Sequence, residues 1–483
     1  MPLWNRIRER LSPLVYLSNN PLSLAGVVLV TAAAVFWIFL LPVSVPGEME
    51  HPYIGILAFL LLPAVFFAGL ALIPFGIYRR WRREKRRGLY PSSFPPLDLR
   101  HPELRQLLTF VLAATAVNIV IASQTTYRAV TYMDSPGFCG RTCHTVMQPE
   151  FTAYQNSPHS HIECVKCHIG PGASWFVRSK LAGAGRVFAV ALHAYPRPIP
   201  APVQNLRPAR EICEACHWPQ YPGDDHLQVI TKFAADEANT ATKTVLLMHI
   251  GEGGRREVGI HGAHLGGVLI EYGYSDRDRQ KIPWVRYTSG DGRSTVYLAS
   301  GADSAAAQRL PRQIMDCMDC HNRPAHTFDL PDRALDRALA AGDISAALPF
   351  AKKQGLEVLQ RPYGSTEEAA LAIPSLFEQY YKEQYPQIYA ARRAEVSRSG
   401  RALAAIFNRN VFPAMRVTWG TYPNNIGHTD FPGCFRCHDD QHLAAGGRKI
   451  PQDCSSCHNL LAIDDPAPQI LAELGLAAPA PGR

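Results

Sequence analysis

The stretch FCGRTCHTVMQPE, residues 138–150, sets two cysteines with three residues between them and places a histidine directly after the second. Outward from it the arrangement returns with two intervening residues. After Cys139/Cys143-His144 come Cys164/Cys167-His168, Cys213/Cys216-His217, Cys317/Cys320-His321, Cys434/Cys437-His438 and Cys454/Cys457-His458. These pairs use all 12 cysteines of the 483-residue chain. With 12 Cys and 18 His, chance predicts roughly 0.01 CxxCH strings, so five of them reflect a chemical requirement.

Disulfides suit an exported domain and zinc ribbons use CxxC pairs, but neither needs histidine after every second cysteine. Covalent haem does, because two thioether bonds hold the porphyrin edge while the adjacent imidazole reaches the iron from one face. The sequence therefore predicts six haem c groups, with those twelve cysteines as attachment points and the six following histidines as proximal iron ligands. Distal candidates are the histidines nearest a motif: His159, His161, His193, His226, His261, His264, His326, His428 and His442. Any one of them is equally well read as a surface or hydrogen-bonded histidine. Bis-histidine ligation keeps potentials lower than His/Met ligation, which suits a chain fed by a low-potential donor.

Two uncharged stretches, residues 22–46 and 53–78, exceed the roughly 20 apolar residues that cross a bilayer, and a shorter third, 105–123, contains Asn118. Arg6, Arg8 and Arg10 precede the first stretch and RRWRREKRRG follows the second, which places the N-terminus in the cytoplasm and everything after the third span outside. The first stretch is too long for the apolar part of a signal peptide, so it is read as an uncleaved anchor. The net charge of +8 does not argue for nucleic acid, since residues 1–123 hold 12 Lys and Arg against 6 Asp and Glu. The exported part is nearly neutral before haem propionates are added. Haem attachment outside the cytoplasm agrees with this orientation.

The expected fold is a membrane-anchored multihaem cytochrome c, with three N-terminal transmembrane helices and an irregular, mainly α/coil periplasmic haem domain carrying a small antiparallel β insert. Residues 1–123 form the anchor, 124–230 a three-haem domain, 231–310 the β-rich insert and 311–483 a helical three-haem C-terminal domain. The insert is read from KTVLLMHI, GVLIEYGY and STVYLAS, with a turn at Asp291-Gly292. PDRALDRALAAGD and STEEAALAIPSLFEQYYKEQY carry helix-start signals, a first-turn proline and a capping serine.

Over residues 105–217 the chain resembles the NapC/NirT family of membrane-anchored, quinol-oxidising multihaem cytochromes. The likeness rests on the third span leading into the first motif, a methionine just past its CH, and Tyr154, Ser157 and His159 ahead of Cys164. Further on, MDCMDCHNRPAHTF and FPGCFRCHDDQH resemble longer inner-membrane cytochromes of the ImcH type. The resemblance implies that Met147 ligates the first haem, releasing His144, and that the longer loop shifts the ring relative to the backbone. The other reading keeps His144 as ligand and Met147 as packing, and both stand. It also implies that His159 reaches across to a later haem and that Lys180 hydrogen-bonds a quinol oxygen, although a headgroup-facing cation explains Lys180 as well. The family carries a carboxylate about two turns later, where this chain has Val187 beside Arg186.

The expected activity is oxidation of (mena)quinol at the outer surface of the inner membrane, with electrons passed haem to haem to a periplasmic acceptor, another cytochrome or a reductase. Two other readings stand beside it. One is a conduit subunit docked on a membrane complex or a second copy through its extra spans; the other is a terminal reductase, which usually carries a lysine-modified motif that is absent here.

Overall fold

Uncharged, Leu- and Ala-rich runs favour helix wherever the backbone must satisfy its own hydrogen bonds, and the N-terminal unit follows that rule. The computed structural model describes residues 12–14, 16–18, 20–43, 61–91, 102–142, 144–170, 189–190, 192–203, 207–217, 225–251 and 259–476. The chain divides into two units, Met1–Phe138 and Cys139–Arg483. In the first, helices α1 (Pro21–Val43), α2 (Leu62–Arg87) and α3 (Pro102–Asp134) occupy the positions of the three expected spans.

Helix α2 has proline in its first turn, Lys85, Arg86 and Arg87 in its last, and Gly88 at φ 65° closing it. Backbone packs on backbone between α1 and α2, because a Cβ on Gly26 would lie 2.7 Å from the Gly69 carbonyl oxygen. Ser23 Oγ adds a hydrogen bond to Ile73 O at 2.9 Å, and Val30, Ala33, Ala34, Phe66 and Ile121 are buried together. Among the described residues, α2 is the one helix that by itself is long and apolar enough to cross a membrane. In α3, Glu103 and Arg105 flank the apolar run and Asn118 interrupts it. The first residues of the expected second span, 53–60, lie outside the described residues.

The second unit is built from two different materials. Its apolar core is a haem-free group of four helices: α9 (Pro331–Ala341), α10 (Ala351–Gln360), α11 (Thr366–Gln384) and α12 (Pro386–Asn410). They bury Leu335, Ile344, Leu348, Leu359, Ile373, Phe377, Tyr381 and Leu403 completely, each contributing on the order of 2 kcal/mol. The start signals read from sequence are in use: Pro331 sits in the first turn of α9, and Ser365 Oγ accepts from Glu368 N at 3.1 Å.

Around this core run short helices that carry cysteine motifs and histidines, α4 (His144–Gln155), α5 (Cys164–His168), α6 (Ala209–Cys213), α7 (Ile260–Leu265) and α8 (Cys317–Cys320).

The strands form two antiparallel sheets, where a single insert is expected. Strands β1 (His226–Phe233) and β2 (Ala241–Met248) pair as a hairpin, and β8 (His458–Asp465), which begins at the last motif histidine, joins β2. The other sheet has the order β6-β3-β4-β5-β7, from β3 (Leu269–Gly273), β4 (Trp284–Thr288), β5 (Ser294–Leu298), β6 (Arg312–Ile314) and β7 (Leu443–Ala444). Strands β6, β7 and β8 come from outside residues 231–310, so the β-rich segment is completed by the C-terminal haem-motif region. The turn at Asp291-Gly292 joins β4 to β5, with Gly292 at φ 84°.

A buried polar cluster ties the β1–β2 hairpin to the helices. Lys352, 2% exposed, places Nζ 2.5 Å from Asp336 Oδ1 and 2.9 Å from Asp332 Oδ1. Asp336 also accepts from Phe233 N at 3.0 Å, and Asn239 in the hairpin turn donates to Ala346 O and Leu348 O while accepting from Lys352 N. Burial pushes the Asp336 carboxyl up, and Lys352 opposes that shift. Replacing Lys352 with alanine leaves a buried carboxylate unpaired. It is expected to cost about 3–5 kcal/mol, read as a lower denaturant midpoint for loss of helix, with much of the loss recovered in the K352M/D336L pair.

Candidate haem sites

Each motif histidine after the first is met by a second histidine from elsewhere in the chain. The ring centroids of His168 and His326 lie 6.1 Å apart, those of His217 and His159 6.1 Å, and those of His321 and His261 6.3 Å. His438 and His264 are 5.8 Å apart and His458 and His428 6.3 Å. An imidazole pair sharing one metal through nitrogen, at about 2 Å per bond, has ring centres about 6 Å apart. Five separate pairs fall at that spacing, which would suit an iron held between two imidazoles.

In three of the five pairs an outer nitrogen is spoken for in a way that leaves the inner one available. Nδ1 of His159 lies 3.3 Å from Pro324 O, that of His264 2.8 Å from Ile260 O, that of His326 2.9 Å from Glu150 O, and that of His438 2.9 Å from Pro451 O. A backbone carbonyl only accepts, so each Nδ1 carries the proton and donates, and Nε2 keeps its lone pair for a metal. Desolvation holds the His264, His326 and His458 rings below the usual imidazole range, with Glu150 opposing it at His326. Neutral imidazole is the ligating form. His458 Nδ1 is buried with no hydrogen-bond partner.

The supports come from residues the motif pattern alone does not single out. Glu150 holds Arg323 at 3.1 Å and lies beside His326, while Arg323 stacks 4.2 Å over the Tyr422 ring. Phe435, between Cys434 and Cys437, stacks on His428 with centroids 4.2 Å apart. Gly433, at φ 48°, lets the loop ending at Gly427 pass against the fifth motif, where Cys434 N donates to Gly427 O at 3.0 Å; a Cβ there would overlap that carbonyl. Both His261 and His264 sit on α7, so one short helix serves the fourth and fifth motifs.

The motifs neighbour one another in sequence order. Cys139 lies beside Cys164, and Cys213 beside Cys317. Cys167 lies within charge-interaction range of Cys216, Cys320 of Cys434, and Cys434 of Cys457. First lies near second, second near third, and so on to the sixth. The thiols Cys167, Cys216, Cys434 and Cys454 are exposed, accessible to a group joined through sulfur.

Four other histidine candidates are placed differently. His161, His193 and His226 are exposed. His442 is buried with Nδ1 at 2.8 Å from Asp439 and Nε2 at 2.7 Å from Ile282 O, so both nitrogens are used within the protein. Met147 is half-buried on α4, whereas Cys143, the His144 side chain and Lys180 lie outside the described residues.

Compared with curated proteins, the chain is 38% identical over 449 residues to the cytochrome c-type protein ImcH of Geobacter sulfurreducens, covering 92% of this chain and 88% of that protein. This chain belongs to the ImcH-type family of c-type cytochromes. No protein-family model matches it, and no solved structure does either. The NapC/NirT likeness therefore rests on the residues around the first two motifs, while the ImcH-type likeness spans nearly the whole length.

In an ImcH-type chain with these pairs, His261→Ala is expected to convert one low-spin centre to high spin with little loss of bound porphyrin, seen by electron paramagnetic resonance. His193→Ala and His226→Ala are expected to leave that spectrum unchanged.

Proposed function

We propose that the protein is a membrane-bound hexahaem cytochrome that oxidises (mena)quinol at the periplasmic face of the inner membrane and relays electrons to a periplasmic acceptor. The observation that carries this reading is the set of five facing histidine pairs, at 5.8–6.3 Å between ring centroids, attached to motifs that neighbour one another from first to sixth. Six haem c groups, when bound, supply reversible one-electron chemistry at iron.

The chain's own residues do the rest. Twelve cysteines fix the attachment points, from Cys139 to Cys457. The pairs His168/His326, His217/His159, His321/His261, His438/His264 and His458/His428 would hold the iron of five of these groups, and the carbonyl-bound Nδ1 atoms of His159, His264, His326 and His438 fix the orientation of those rings. At the first motif, Cys143 and the His144 side chain lie outside the described residues. Met147, on the helix that begins at His144, is proposed as its ligand. That difference suits the first haem for the end where quinol reacts, with Lys180 proposed to hydrogen-bond a quinol oxygen. Three spans are proposed for the N-terminal unit, with the N-terminus cytoplasmic.

Quinol gives up two electrons and two protons, and bis-histidine ligation keeps the receiving centres at low potential. A row of one-electron sites then separates electrons from protons. The full chain, purified in detergent and mixed with a reduced menaquinone analogue, is expected to show haem reduction without any other protein, and Lys180→Ala is expected to slow it at least tenfold. Reduction only in the presence of a co-purifying membrane complex would instead make the chain a conduit subunit.

A further inference from the structure

The fourth and fifth motifs are joined by one side chain. Arg436, between Cys434 and Cys437, is 9% exposed. Its guanidinium donates from Nε to Gly433 O at 2.8 Å, from Nη1 to Arg279 O at 3.0 Å and from Nη2 to Asp319 O at 2.6 Å. Asp319 immediately precedes Cys320, so the fork grips the fourth motif from within the fifth. Asn425 Nδ2 donates to the same Asp319 carbonyl at 3.0 Å. The two motifs are also linked through α7, whose His261 and His264 face His321 and His438.

All three partners of Arg436 are backbone carbonyls. The nearby Asp319 carboxylate is engaged elsewhere, accepting from the Tyr272 hydroxyl and lying 3.5 Å from Arg279 Nη1. Among the described residues no carboxylate is within ion-pair distance of Arg436, so its charge is held by backbone dipoles, with the Asp319 and Asp439 carboxylates farther off. A guanidinium stays protonated at any ordinary pH, and burial weakens the screening of its field. The guanidinium is bonded at Gly433 and at Asp319, the residues directly before Cys434 and Cys320, one cysteine from each motif.

Taking one electron at ferric iron breaks and forms no bond and lowers the local positive charge by one. A fixed cation beside the site therefore favours the reduced form. We infer that Arg436 is a shared tuning and positioning residue, whose buried charge raises the reduction potentials of the fourth and fifth haems together while its fork holds their two loops in register. The inference rests on the haem reading above.

The test uses the full chain in detergent, with R436Q and R436K beside the parent, haem content measured by pyridine haemochrome and midpoints by spectroelectrochemistry. R436Q is expected to retain its haem and lower two midpoints, each by about a tenfold shift in the reduction equilibrium, roughly 59 mV for one electron. R436K, which keeps the charge, is expected to leave both near the parent values. R436Q with full haem and unmoved midpoints overturns the inference. So does R436K displaced as far as R436Q, which would assign the effect to lost fork geometry. If R436Q does not accumulate, R436K decides alone: two unmoved midpoints support the inference and two lowered ones overturn it. A parent chain with no porphyrin in the haemochrome assay ends the haem reading itself, before any potential is measured.

Discussion

Two imidazole rings whose centres lie about 6 Å apart stand at the spacing of two nitrogen ligands on one metal. That spacing recurs at five places here, and the rest of the second unit can be read as the means of keeping it. A histidine alone does not hold such a distance. In three of the five pairs an outer nitrogen is anchored, in another a ring is backed, and the segments bearing the rings are pinned to something rigid. Carbonyls at Ile260, Glu150, Pro324 and Pro451 supply the anchors, and Phe435 backs one ring.

Rigidity comes from the part of the unit with no cysteines. Helices α9 to α12 bury a dense apolar core, and the Lys352–Asp336–Asn239 cluster fastens the β1–β2 hairpin to it. Through β2 the hairpin holds β8, and β8 begins at His458. A line of covalent structure and hydrogen bonds thus connects a conventional core to the sixth motif. At the fourth and fifth motifs, the Arg436 fork and α7 perform the same task beside a smaller apolar cluster of Ile270, Tyr272, Ile282, Val285 and Tyr297, against which Cys437 packs. The first unit is separate in composition and packing, its helix pair resting on glycine contacts and a serine hydroxyl.

Much of this was legible in the sequence, and for definable reasons. The motifs repeat a local covalent requirement, so spacing alone reveals them. Pro331 and Ser365 mark helix starts because first-turn chemistry is also local. The distal pairing was not legible in this way. His326 lies five residues after His321 yet faces His168, and His159, next to the second motif, faces His217 of the third. Proximity in sequence misleads there because the pairing is set by how whole segments pack. The same holds for β8: HNLLAIDD lacks strict alternation, and it becomes a strand by docking on β2. Arg436 and Glu150 look like ordinary surface charges until their carbonyl and arginine partners are seen. ImcH-type relatedness over 92% of the chain fixes the family, while the pairing geometry supplies the site-by-site reading.

The most direct test of the account counts axial ligand types in the oxidised, unmodified protein by near-infrared magnetic circular dichroism. Five bis-imidazole ferric centres and one centre outside that class are expected. Six equivalent centres, or a majority ligated by imidazole and thioether, would contradict it.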